Sequence, residues 1–143
     1  MIEFALAAYL GTRDPVTDVV ADRIYADGAE QTAARPLLVY RLLPGSVRHY
    51  HSRGASGLVE ALIEIACQGR TYPEARDLYE AVRNEIDGFQ GEWDGTDVRR
   101  AAMTPAASTS GAPAQGDEVG FPGVRGVLEV FYRESVPTLG AIP

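Results

Sequence analysis

The chain has 143 residues, 13 basic against 20 acidic, and a net charge of -7. One ordinary domain of this length buries about two-thirds of the open chain's surface, so it needs no staple; the single cysteine, Cys67, excludes both an internal disulfide framework and a cysteine-rich zinc site. The acidic balance argues against a global grip on nucleic acid, which rests on neutralising phosphates, and the absence of lysine rules out Schiff-base, P-loop-lysine and lysine general-base chemistry.

The first ten residues predict a helix, with Ile2, Ala5, Leu6, Tyr9 and Leu10 on one face and Gly11 as its stop. Glu3 stands where a secretory leader needs positive charge. No apolar run approaches the ~20 residues that span a bilayer, so a soluble protein of a reducing or indifferent compartment is expected. Asp14-Pro15 reads as a fresh helix start, Asp14 as N-cap and Pro15 at the first helical position, followed by Val16, Val19 and Val20. Arg23-Ile24-Tyr25 is a brief extended segment closed by Asp27-Gly28.

Leu37 to Leu43 reads as a strand, stopped or bent at Pro44-Gly45 and resuming from Val47 to Tyr50. Ser52 to Gly57 is a flexible tip. From Leu58 the chain alternates, with Val59, Ala61, Ile63, Ile65 and Cys67 on one side and Glu60 and Glu64 on the other. That is the signature of a strand with one buried face, and the two strands predict a long antiparallel hairpin.

Thr71-Tyr72-Pro73-Glu74 fits a capping box. The helix it opens runs to about Asp87, with Ala75, Leu78, Tyr79, Val82 and Ile86 as its apolar stripe and Gly88 as its stop. Phe89 to Gly95, which holds the only tryptophan, Trp93, reads as irregular. Val98 to Met103 suits a strand. Residues 104–123 are rich in Pro, Ala, Ser, Thr and Gly and read as a long inserted loop, mobile when alone and of a length that suggests contacts. Val124 to Arg133 alternates again, and the tail after Ser135 reads as loose or partner-bound. The sum is α+β: an antiparallel sheet of about four strands with two main helices packed on one face, in a single domain spanning residues 1–143.

The chemistry-bearing residues do not converge. His49 and His51 would share a face of a strand, but a metal needs three or four ligands, and Arg48 and Arg53 repel cations. Ser52 and Ser56 lie in no nucleophile-elbow pattern. Cys67 reads as a small buried hydrophobe. Asp77, Glu80 and Glu85 alternate with arginines, as a solvated helix face does. Gly111, Gly116, Gly120 and Gly123 form no phosphate-binding fingerprint. Arg41, Arg48 and Arg53 around the hairpin suit either solubility or contact with a phosphate or carboxylate-rich partner. No catalytic residue, metal or cofactor is expected.

Several segments, taken in order, resemble one family: Asp14-Pro15 after an N-terminal helix, Arg23-Ile24-Tyr25, Arg35-Pro36-Leu37-Leu38-Val39-Tyr40, Gly57-Leu58 leading into Glu64-Ile65-Ala66, and Thr71-Tyr72-Pro73-Glu74-Ala75-Arg76 with Leu78 and Val82. The chain is similar to the small tail-completion proteins of long-tailed bacteriophages and gene transfer agents, whose fold is of the lambda tail-terminator type. The resemblance covers most of residues 1–104 and, more weakly, 124–133. It implies a non-enzymatic virion protein at the head–tail junction, assembled in the host cytoplasm. Its copies would form a ring, typically a hexamer, that caps the tail tube and meets a head-side connector or stopper while DNA passes through the bore.

Within that reading, the expected ring and neighbour contacts are Arg48, His49, Tyr50, His51, Arg53, Phe121 and Arg125, on the hairpin tip and the 104–123 segment with its flank. Glu60 and Glu64 are candidate bore acids, because acidic walls let DNA slide where basic walls would hold it. The competing readings are another neck protein, stopper or head-completion, and a small ligand-binding or enzymatic α+β domain; the latter requires a polar pocket with a perturbed acid or base.

Overall fold

The computed structural model describes residues 1–30, 32–51, 54–104, 107–109 and 122–134. In chain order these form α1 (Ile2–Leu10), α2 (Asp14–Val20), β1 (Ile24–Ala26), β2 (Leu37–His51), β3 (Gly54–Gln68), α3 (Tyr72–Ile86), β4 (Gly91–Trp93), β5 (Thr96–Met103), β6 (Ala107–Thr109) and β7 (Gly123–Arg133). The strands make one sheet in the order β1-β2-β3-β7-β5-β4, with β6 also pairing β7. The α+β class and the placement of helices on one face agree with expectation. The sheet is larger than the four strands predicted, because β1, β4 and β6 add three-residue edges too short to show a period.

The helix starts are built locally. At α3, Thr71 takes the N-cap and its hydroxyl accepts from the Glu74 N–H at 3.4 Å. The Glu74 carboxylate reaches the Arg70 N–H at 3.0 Å and the Arg70 guanidinium at 2.9 Å, rather than the Thr71 N–H, so the expected capping box closes one residue early. These two bonds, the guanidinium's first, hold the Glu74 carboxyl below its ordinary value. At α2 the N-cap is Arg13 with no side-chain cap. Asp14 lies inside the first turn, where its charge suits the helix dipole. Pro15 sits in the same turn, where its missing N–H is harmless.

The core lies between the helices and one face of the sheet. Along β3 the predicted alternation holds: Val59, Ala61, Ile63, Ile65 and Cys67 are all buried. Leu38 and Tyr40 of β2, Val124, Leu128 and Val130 of β7, and Val98 and Ala101 of β5 join them beneath Leu6, Leu10, Val16, Val20, Leu78, Tyr79, Val82 and Ile86. Burial pushes the Cys67 thiol up, away from thiolate chemistry. Gly126 sits where β7 passes under α3, and a Cβ there would come 2.5 Å from the Tyr79 hydroxyl oxygen. Without that side chain, the Tyr79 hydroxyl donates to the Thr104 carbonyl at 3.1 Å, tying α3 to the end of β5.

Two local expectations are corrected. Phe89 to Gly95 is not irregular: β4 and β5 form a tight hairpin through Asp94-Gly95, both at positive φ (48° and 83°). That is the backbone a primed two-residue turn requires and an Asp-Gly pair supplies. Within 104–123, Ala107–Thr109 pair with Arg125, Val124 and Gly123 as β6, so part of that segment is strand rather than loop. A third correction concerns pairing, because β1 joins β2 in parallel, with Ile24 opposite Leu38, in a sheet otherwise antiparallel. β7, last in sequence, lies between β3 and β5.

Candidate assembly surface

The face of the sheet away from the helices carries the alternate residues of the same strands. Register places Arg41 opposite Glu64, Glu60 opposite Phe131, and Phe131 opposite Arg100. Leu62 is opposite Glu129, Glu129 opposite Ala102, and Ala66 opposite Arg125. Both expected bore acids, Glu60 and Glu64, therefore point out from this helix-free face. Glu64 is ion-paired to Arg41 at 2.9 Å. A cleft of ≈ 220 Å³ opens between β3, β7 and β5, lined by Glu60, Arg100, Ala102, Glu129 and Phe131. Carboxylates and guanidiniums alternate with apolar side chains here, so the face is charge-balanced rather than acidic.

Of the expected contact residues, Arg125 is exposed on this same face. Arg48, His49, Tyr50 and His51 contribute the backbone of β2 where it runs with β3 as far as the His51–Gly54 pair; for these four the description is of backbone alone. Arg53 and Phe121 lie outside the described residues, as does the tail from Ser135 onward. The β2–β3 arm continues past the last β3–β7 pair, Leu58–Arg133, so it projects from the sheet as a two-stranded ribbon. A register shift between Leu43 and Val47, at Pro44-Gly45, interrupts the β2–β3 ladder before the arm, opposite Leu62 to Glu60.

The two ends of the sheet differ in how their edges are finished. The β5 edge is covered: the Gly88 N–H donates to the Ala101 carbonyl at 2.8 Å, and the Met103 N–H donates to the Asp87 carboxylate at 2.9 Å. Among the described residues the β2 edge is covered only by β1, whose pairing ends at Tyr40. Beyond that point Leu42 is 38 % exposed and Val47 49 % exposed. Phe4, 52 % exposed, packs edge-on to Tyr40 at a ring separation of 6.4 Å. Sequence reasoning did not find this open edge, because it depends on which strands become neighbours.

Among the described residues no group of three or more His, Cys, Asp or Glu side chains is placed to hold a metal ion, and no helix is long and apolar enough to cross a membrane. Cys67, the one thiol, is shut inside the core. The Trp93 indole N–H is buried without a partner among the described residues, in a ring cluster with Tyr9 and Phe89 at centroid separations of 6.0 and 5.4 Å.

Neither a scan against known protein families nor a search of curated protein sequences finds a match. Among solved structures, the chain is similar in fold to a chain in the virion of a native gene transfer agent particle. The TM-score is 0.66 at 12 % identity, over 93 % of this chain and 95 % of that one. At that identity the likeness is one of fold.

Proposed function

We propose that this chain is a structural protein of a phage-like particle, a ring-forming subunit at the head–tail junction that terminates the tail tube. The observation that carries the reading is the fold shared, over nearly the whole of both chains, with a component of a gene transfer agent virion. The family resemblance of the Asp14-Pro15 and Thr71 to Arg76 segments supports the terminator reading over another neck protein. An open sheet edge and a projecting arm suit a part that works by its contacts, since exposed edges left unmanaged invite pairing with another chain.

In the ring we propose, six copies close on themselves, one rim meets the tail tube protein and the other a head-side connector or stopper. The hairpin tip (Arg48 to Arg53), Phe121 and Arg125 serve the neighbour contacts. Glu60 and Glu64 face the bore. With Arg41 held by Glu64, the wall there offers DNA no free run of cations, so phosphates slide past rather than bind. A channel lined by unpaired arginines contradicts this part of the proposal.

Negative-stain imaging of particles made without the protein tests the assignment. Overlong tails, left unjoined to heads, are expected. Finished tails of normal length with unjoined heads shift the role to a stopper, and normal particles contradict the assignment altogether.

A further inference from the structure

We infer that successive copies in the ring are joined edge to edge, the open edge of β2 at Arg41–Leu43 pairing in parallel with β4 (Gly91–Trp93) of the next copy. The inference rests on the ring reading and adds to it the joint.

Among the described residues the sheet ends in two edges. At one, β1 stops opposite Tyr40, and the Leu38 N–H and Tyr40 carbonyl direct β2's main chain toward that side. By the alternation of a ladder, Leu42 directs its main chain the same way, where no described strand lies. At the other, β4 ends the sheet. Trp93–Thr96 flank the turn, so Glu92, one residue on, turns its main chain outward. The lengths agree: the register shift at Pro44 ends the usable β2 edge after three residues, and β4 has three. Proline at that point also limits how far any strand pairs there.

Direction agrees as well. Along the order β2-β3-β7-β5-β4, every neighbouring pair is antiparallel, so β2 and β4 run the same way. A cyclic array that keeps the sheet continuous sets them side by side in parallel, as β1 already lies on β2. Such a contact is heterologous, the kind that closes into a ring.

Side chains complement the joint. Arg41 and Glu92 both point to the helix-free face, as their partners Glu64 and Asp97 show. A hairpin bearing Glu92 and Asp94 therefore comes beside the Arg41 guanidinium, which already pairs Glu64 at 2.9 Å and, with five N–H donors, can bridge a second carboxylate. On the helix side, α1 spans the sheet from Phe4 on Tyr40, beside β2, to Tyr9 stacked on Trp93 in β4. Pairing β2 with the next β4 therefore brings exposed Phe4 and Leu42 against the far end of the next copy's α1. That covers apolar surface an isolated subunit leaves wet.

Full-length Arg41→Cys and Glu92→Cys variants, mixed and oxidised, test the joint, with Cys67 too buried to interfere. A covalent pair of the two variants is expected. The double variant should give a ladder that ends at the ring number, since neighbouring strands hold Cα atoms within disulfide reach. Independently, Arg41→Glu or Glu92→Arg alone should raise the half-assembly concentration by about tenfold or more, and the two together should restore it; circular dichroism checks that each still folds. Rings that form with no such cross-link and no response to either reversal overturn the joint and leave the ring standing. A wild-type chain that stays monomeric overturns both.

Discussion

Consider the two sides of β3. Ile63 and Ile65 are wholly buried beneath α3 and α1, while Leu62 and Glu64, one residue along, look out from a face that no helix covers. The inward side is apolar and buried. The outward side mixes Arg41, Glu60, Glu64, Arg100 and Glu129 with Leu62 and Phe131. The difference teaches where each job sits: the inward side accounts for the fold, and the outward side, with the edges, is free for contacts.

Exchange of one side's residue for alanine should break the comparison most visibly. Ile63→Ala should cost about 2–5 kcal/mol of unfolding free energy, through lost transfer and a residual cavity. Its neighbour Leu62→Ala should cost less than about 1 kcal/mol in the free subunit. Urea unfolding of the two variants measures this, and equal losses contradict the division of labour.

Next comes Gly126→Ala. The added methyl meets the Tyr79 hydroxyl, so Tyr79 must shift and loosen its bond to Thr104, for about 1–3 kcal/mol. Gly126→Ala combined with Tyr79→Phe should cost less than the sum of the two, because both act on one contact.

Trp93→Phe is a smaller step. It leaves a gap in the ring cluster but removes a buried N–H that has no acceptor among the described residues, and an unmet donor itself costs about 1–3 kcal/mol. The two effects offset, so stability should change by about 1 kcal/mol or less, read by far-UV circular dichroism because the only tryptophan is gone. A large loss means the indole has an acceptor in solution.

The smallest effect belongs to the exposed pair at the start of α3. The Arg70 guanidinium depresses the Glu74 carboxyl. A lowered native value means the unfolded chain binds the proton more readily. The contribution is therefore present above the ordinary carboxylate range and lost as the pH falls through the lowered native value. Glu74→Gln should flatten that acid limb slightly, and salt should shrink the difference, as for any exposed pair.

Much of the inward side was legible because its signals are local. Period-two burial from Val59 to Cys67, the Thr71 cap and the stripe from Ala75 to Ile86 each need only a few neighbouring residues. The β4–β5 hairpin was readable in Asp94-Gly95, yet its strand β4 holds one apolar residue, Trp93, too few for a period. β1's parallel pairing and β7's place between β3 and β5 are decided by tertiary packing. The open β2 edge follows from that strand order, so no local pattern announces it. Glu60 and Glu64 were placed on the outward side by alternation alone; that Arg41 neutralises one of them depends on register across strands.

The central claim is that this chain works as a closed ring. Native mass measurement of the purified full-length protein across micromolar concentrations tests it most directly. A single discrete multiple of the subunit mass, six-fold on the present reading and ring-shaped in projection, is the predicted result. A monomer at every concentration, or an open-ended ladder of sizes, contradicts it.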